Sequence, residues 1–400
     1  MANLLHALGA ALALLPDLIV FRLFPYAVYG CFSRRQPLLL RLFMVISYLA
    51  AIAIALHGSS DHVLQLRSMA TAMLLYAVAG LGVHFLGRIA LDKPLAKPLV
   101  FAFCLLVFLV PPLLDRELAL APTQVLGWEY SLASYSYVAE TRRTGTRRPI
   151  RDFFFFLFLS QTLVFSARER EGSTENRRVV GLLRALLGLG SLTIGLTLQL
   201  HGWRAAFQKL APETLISAFL TIVLFGLGLF VAEYLGHSGR ASLTIGTMGA
   251  LGYQLPERYR YPFLALTPED FWRRWNSYVT RWARIYVYLP LTRALSGEDG
   301  SHRAHSYGAA VVSMLATFSL IGLLHDIDLF TRDRMLQLRW TPMFTLLGAV
   351  VLAANLARRT LQRIRATRRA AQGLALVGRR FVTHVLMLFS IGSTAWILLH

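Results

Sequence analysis

The 400-residue chain is 56% hydrophobic, and its 41 Lys and Arg outnumber its 21 Asp and Glu. Such a composition excludes a string of soluble domains and calls for a polytopic membrane protein. The net charge of +20 is concentrated in short loops between apolar segments, the pattern that fixes membrane orientation, so it demands no nucleic-acid partner.

Apolar segments of membrane length occur at 4–24, 38–57, 69–91, 99–114, 119–139, 179–200, 214–236, 307–327, 342–357 and 380–399, which makes about ten crossings. The first basic residue of the chain is Arg22, after the first apolar run, so 4–24 reads as a retained span. Cys31 and Cys104 lie in or beside apolar runs, without the spacing of a metal site or a disulfide framework, and read as packing residues. The stretch Phe153 to Phe165, between Asp152 and a charged run beginning at Arg168, is too short for an ordinary span. It reads as a re-entrant or interfacial element. If it turns back, the basic loops at 33–41, 88–97, 141–151 and 358–380 all lie inside and both termini lie outside.

The stretch 251–291, LGYQLPERYRYPFLALTPEDFWRRWNSYVTRWARIYVYLPL, is of a different kind, with six Arg between Arg258 and Arg284 beside Trp272, Trp275 and Trp282. Thr267 can cap a helix, Pro268 suits its first position, and Glu269 and Asp270 place negative charge in its first turn. At about 100° per residue, Trp272, Trp275, Val279 and Trp282 fall on one side and Arg273, Arg274, Arg281 and Arg284 on the other. Asn276 lies at the edge of the Trp side. The pattern predicts one amphipathic helix over 268–285 at the boundary between headgroups and hydrocarbon. A basic juxtamembrane loop without chemistry is the bland alternative.

The polar stretch 296–306 reads as a loop, and the span after it ends with His325, Asp326 and Asp328. An ionisable residue embedded at the end of an apolar helix is costly there and is a functional candidate for that reason. Imidazole suits general acid–base work there, because it can take up a proton near neutral pH and give it back. The run 358–372 reads as a basic surface helix on anionic lipid or as a plain topogenic loop.

Several of these motifs together resemble a known family. Pro256-Glu257, Pro262-Phe263-Leu264-Ala265, Pro268 through Asn276 (PEDFWRRWN) and Tyr286 through Leu291 (YVYLPL) are similar to the signature block of the membrane-bound O-acyltransferase (MBOAT) family. The likeness is in particular to its bacterial branch, which includes the alginate O-acetylation protein and the D-alanyl transfer protein of teichoic acid synthesis. Gly322-Leu323-Leu324-His325 resembles the run that carries the family's catalytic histidine, with Leu324 where relatives have Trp. The stretch from Gly127 to Arg142 resembles the family's Ser/Tyr-rich span, and 152–166 lacks the Gly-Pro pair found there, having Val164, Phe165 and Ser166 instead.

The resemblance implies an all-α polytopic membrane protein, a single domain over 1–400. About ten transmembrane helices, with re-entrant and interfacial helices, would surround a central catalytic cavity. The signature block 251–291 and the span 307–328 would line that cavity. It implies His325 as the catalytic base and Asn276, where many bacterial relatives carry a second histidine, as its catalytic partner. Trp272, Arg273, Arg274, Trp275 and Tyr286 would contact substrate, with no metal and no bound cofactor. The donor would be an acyl thioester, acyl-coenzyme A or an acyl carrier protein. The acceptor would be a hydroxyl of a polysaccharide, lipid or small molecule. Membrane lipid and an acyl carrier or extracytoplasmic acceptor-handling protein are the expected partners, and a bacterial inner (cytoplasmic) membrane the expected location. Two other readings stay open: a transporter or flippase, and a non-catalytic scaffold with the same fold.

Overall fold

The computed structural model describes residues 3–12, 77–85, 101–106, 127–145, 150–154, 175–200, 214–296, 303–333 and 337–365, with shorter runs within 38–53, 71–75, 156–164 and 380–392 and the single residue 335. Its regular elements are helices, and no strand forms among the described residues. In chain order they are α1 (Gly127–Thr144), α2 (Ile150–Phe154), α3 (Glu175–Leu200), α4 (Leu215–Ala250), α5 (Pro268–Arg274), α6 (Ser277–Ala283), α7 (Leu289–Ser296), α8 (Arg303–Asp333) and α9 (Trp340–Arg365). A 3-10 turn at Pro262–Leu264 precedes α5, and a π-helical turn at Arg284–Tyr288 joins α6 to α7.

Among the described residues, four helices are long and apolar enough to cross a membrane: α3, α4, α8 and α9. The chain is therefore an integral membrane protein, all-α among the described residues. The predicted spans at 4–24, 38–57, 69–91, 99–114 and 380–399 are only partly within the described residues, which are helical where described. Of the stretch 153–165, the described part is the end of the five-residue helix α2 followed by buried Phe156, Leu157, Leu163 and Val164.

Three boundaries differ from the sequence reading. The predicted span 214–236 is the first part of α4, which continues unbroken to Ala250 because no proline interrupts it. Its 36 residues rise about 54 Å, well beyond a hydrocarbon core of roughly 30 Å. Helix α8 starts at Arg303, inside the stretch read as loop, and ends at Asp333, so His325 lies within a helix rather than at its end. Helix α9 runs on to Arg365, which makes the start of the basic stretch a continuation of its span.

The chain divides into two compact units, one comprising Met1–Thr193, Gly239–Pro256 and Asp328–Met335, the other Ile194–Ser238, Glu257–Ile327 and Leu336–His400. In the first, the N-terminal part of α3 packs against the C-terminal part of α4 backbone to backbone. A Cβ added at Gly188 would come 2.6 Å from the Leu243 nitrogen, and one at Gly246 would come 2.5 Å from the Ala185 nitrogen. Without a hydrophobic force between helices in lipid, such close approach is what lets dispersion hold them together. In the second unit a core of Phe230, Ala265, Phe271, Leu347 and Met387 gathers α4, α5, α9 and the helical residues after 380. Trp272, Trp275 and Phe318 pack against it. Every predicted site residue lies in this second unit.

Candidate functional site

The signature block begins as its residues predict. Thr267, in extended conformation, accepts the Asp270 N–H on its hydroxyl at 3.0 Å, and Pro268 occupies the first turn of α5. Such a cap contributes about 1 kcal/mol. Asp270 then takes the Arg274 Nε at 2.9 Å, Arg273 at 3.3 Å and the Leu266 N–H at 3.3 Å. Partial burial pushes the Asp270 carboxyl up, but the hydrogen bonds from Arg274 and Leu266 and the two guanidinium charges outweigh it and hold the group below its ordinary value.

The helix predicted over 268–285 is not continuous. It breaks at Trp275 and Asn276, and Asn276 takes a left-handed conformation with φ of 51° and ψ of 66°. Outside glycine, Asn is among the residues that tolerate this region best. Asn276 then caps α6, its Oδ1 facing the Val279 N–H at 3.5 Å while accepting the Arg258 Nε at 3.1 Å. The break is held by the strap 257–260. Arg260 N–H donates to the Arg274 carbonyl at 2.9 Å, Ser277 N–H to the Arg258 carbonyl at 2.7 Å, and the Ser277 hydroxyl to the Glu257 carbonyl at 2.6 Å. As a consequence the Trp and Arg residues do not fall on two faces of one rod. Trp282 is fully buried, whereas Arg273, Arg281 and Arg284 stay exposed.

His325 is half-buried, with its Nδ1 2.7 Å from the Ile321 carbonyl one turn back. A carbonyl can only accept, so Nδ1 carries the proton of the neutral ring and Nε2 is the basic nitrogen. The ring packs 4.9 Å from Phe344 and 5.6 Å from Trp340, both on α9. Asp326, the next residue, is fully buried and accepts the N–H groups of Arg339, Trp340 and Thr341 at 2.9, 2.7 and 2.8 Å. It also accepts the Thr341 hydroxyl at 2.6 Å. The carboxylate thereby caps the start of α9, satisfying donors that a helix leaves unpaired at its N-terminus. One turn earlier Gly322 lets the two helices touch, since a Cβ there would lie 2.5 Å from the Trp340 carbonyl oxygen.

The predicted substrate-contacting residues thus separate into four settings. Trp272 packs edge-on to Phe318 at 5.8 Å and lies 5.9 Å from Phe344, so one phenyl ring, Phe344, joins it to His325. Its indole N–H is buried without a hydrogen-bond partner among the described residues. Trp275 turns the other way, into Phe230, Tyr234, Tyr259 and Phe271, at 5.5 to 6.3 Å. Arg273 and Arg274 are engaged with Asp270. Tyr286 sits in the π-helical turn, 5.5 Å from the Trp282 rings.

Sequence reasoning missed Arg258, Trp340 and Phe344, and it treated Asp326 as a neighbour of the histidine rather than a cap. One signal was available for the last, because Gln337-Leu338-Arg339 before α9 offers no local capping side chain. Leu324, where relatives carry Trp, is fully buried, and it is Trp340 from α9 that lies against His325. Among the described residues no group of three or more His, Cys, Asp or Glu gathers to hold a metal ion.

Residues 202–392 match the model of the membrane-bound O-acyltransferase family, a range that includes α4 through α9. A probable long-chain-alcohol O-fatty-acyltransferase of Arabidopsis thaliana is 31% identical over 190 residues, 45% of this chain and 54% of that one. A peptidoglycan O-acetyltransferase of Helicobacter pylori is 28% identical over 124 residues, 29% of this chain and 23% of the relative. A probable alginate O-acetylase of Pseudomonas syringae is 29% identical over 70 residues, 18% of this chain and 14% of the relative. The matched stretch therefore spans about half the length of the first relative and less than a quarter of the other two. Family model, relatives and helical architecture agree in pointing one way: residues 202–392 of this chain are similar to the membrane-bound O-acyltransferase family.

Proposed function

We propose that the protein is a membrane-bound acyltransferase that moves an acyl group from a thioester donor to a hydroxyl, with His325 as general base and Asn276 as the group that polarises the donor carbonyl. The observation that carries this reading is the bond from His325 Nδ1 to the Ile321 carbonyl. It sets the tautomer in which Nε2 can take a proton. In the reaction the acceptor hydroxyl gives its proton to Nε2 as its oxygen bonds to the thioester carbon. The C–S bond then breaks, and the thiolate recovers the proton from the imidazolium. No covalent acyl-enzyme is needed, so both substrates bind together.

Asn276 cannot act as a base, but its amide Nδ2 can donate to the carbonyl oxygen as negative charge develops there. Trp272 and Tyr286 are assigned to contact with the acyl chain. Arg273 and Arg274, still partly exposed beside Asp270, are assigned to the donor's anionic groups. The relatives' names specify acceptors as different as a long-chain alcohol, peptidoglycan and alginate, which share only a hydroxyl. A hydroxyl acceptor is thus the level at which the reading is made, with acyl-coenzyme A or an acyl carrier protein as donor. A bacterial cytoplasmic membrane is the proposed setting.

The test is acyl transfer from radiolabelled acetyl- and palmitoyl-coenzyme A in membranes holding equal amounts of wild type or His325→Gln. Loss of a general base lowers turnover by about 10²- to 10⁴-fold, and the labelled product identifies the acceptor. Equal labelling by both proteins removes His325 from the mechanism. Labelling no higher than in membranes without the protein favours the transporter or scaffold.

A further inference from the structure

We propose that Arg258 is a positioning residue for the transfer reaction, acting through Asn276 by turning its amide so that the Nδ2 donor faces the donor carbonyl. This rests on the assignment of Asn276 above and adds a residue to which that reading gives no role.

An amide has one accepting and one donating end, and its orientation follows from what it meets. Both groups that approach Asn276 on one side, the Arg258 Nε–H at 3.1 Å and the Val279 N–H at 3.5 Å, are donors. The atom facing them must be the oxygen, so Nδ2 faces the other way. Of the two, the bond from Val279 is at the limit of hydrogen-bond length, so the bond from Arg258 decides the orientation. Arg258 is itself well held. Its carbonyl accepts the Ser277 N–H at 2.7 Å, and its guanidinium lies 5.6 Å from the ring centre of buried Tyr278. The same arginine therefore grips the residue after the break through its main chain and the amide at the break through its side chain.

The assignment makes a distinction that chemistry can test, because only the Nε–H reaches Asn276. Gln carries an N–H donor at the same number of bonds from its Cα as the Arg Nε, whereas Met places a methyl group there. Arg258→Gln and Arg258→Met are both neutral, unbranched and of similar length, and differ chiefly in that donor. A role for Arg258 as a cation for an anionic donor group predicts equal loss in both.

The experiment measures thiol release from acetyl- and palmitoyl-coenzyme A, with 1-hexadecanol or the acceptor that the labelled product above identifies supplying the hydroxyl, by detergent-purified wild type, Arg258→Gln, Arg258→Met, Asn276→Gly and the double variant Arg258→Met/Asn276→Gly, each confirmed monodisperse. The expected result is that Arg258→Met turns over about 10-fold more slowly than Arg258→Gln, as for one lost hydrogen bond. KM for the donor should stay within about twofold, because the effect is on the developing charge. The double variant should be no slower than Asn276→Gly alone, since an amide that is absent cannot be turned. Equal loss in Gln and Met variants, or losses that multiply in the double variant, overturns the proposal while leaving Asn276 in place. Wild-type turnover by Asn276→Gly overturns the role of Asn276 itself, and this proposal with it.

Discussion

Asp326 takes the backbone N–H of Trp340 at 2.7 Å, while the residue before it, His325, lays its ring 5.6 Å from the indole of the same tryptophan. One pair of consecutive residues on α8 thus caps α9 and packs against its first turn. The position of the candidate base is tied to the helix that carries its aromatic neighbours, so stability and chemistry meet at Asp326.

Removing that carboxylate is predicted to be costly. Asp326→Ala leaves three N–H groups and the Thr341 hydroxyl without their acceptor in a buried place. The expected destabilisation is about 3 to 5 kcal/mol. Asp326→Asn keeps one accepting oxygen and should lose about half as much. Thermal unfolding in detergent measures both, and a melting point unchanged in Asp326→Ala contradicts the capping role.

Gly322 tests the same contact from the opposite side. A methyl group there meets the Trp340 carbonyl oxygen at 2.5 Å and the Thr341 Cα at 2.6 Å, backbone atoms that yield only if α8 and α9 separate. Gly322→Ala is expected to cost about 1 to 3 kcal/mol and to lower acyl transfer, because separation moves Trp340 and Phe344 off His325. Gly308→Ala on the same helix meets nothing within 4 Å among the described residues and should be neutral or stabilising by up to about 1 kcal/mol. Equal melting points for the two variants argue against close α8–α9 contact.

What sequence can and cannot convey is visible in these residues. The start of α5 was legible because its cap, proline and acidic turn lie within four positions, and the membrane class because apolar runs need no context. The break at Asn276 was not. Indole and guanidinium groups recur at helical spacing straight through it, while the cause, a strap at 257–260, acts from 14 to 20 residues away. Asp326 hid its role in the same way, since its partners lie 13 to 15 residues further on. The histidine and its surrounding motif were readable, but the rings packed against it belong to another helix.

Asp270 supplies a pH prediction. Its carboxyl is held below the ordinary value by Arg274, Leu266 and Arg273 despite partial burial. A folded-state pKa below the unfolded one means that the stabilisation is present above the unfolded value, about 3.9. It is lost as pH falls through the lower folded value. Asp270→Asn should therefore melt below wild type at neutral pH, by about 1 kcal/mol, and the two should converge below about pH 4. A difference that is constant across that range shows that the charge of Asp270 contributes nothing.

Asn276 carries two duties that one substitution can separate. Its φ of 51° is needed for the break, and its amide is assigned to the transition state. Asn276→Gly keeps the first, because glycine enters the left-handed region without strain, and it removes the second. Asn276→Ala removes both, adding about 1 to 2 kcal/mol of backbone strain. The expected outcome is that Asn276→Gly melts within about 1 kcal/mol of wild type yet loses about 10²- to 10³-fold in turnover, whereas Asn276→Ala loses turnover and stability together. If the glycine variant turns over normally and the alanine variant does not, Asn276 matters only for its backbone, and the carbonyl must be polarised by another donor. The buried indole N–H of Trp272 is then the next group to test, by Trp272→Phe.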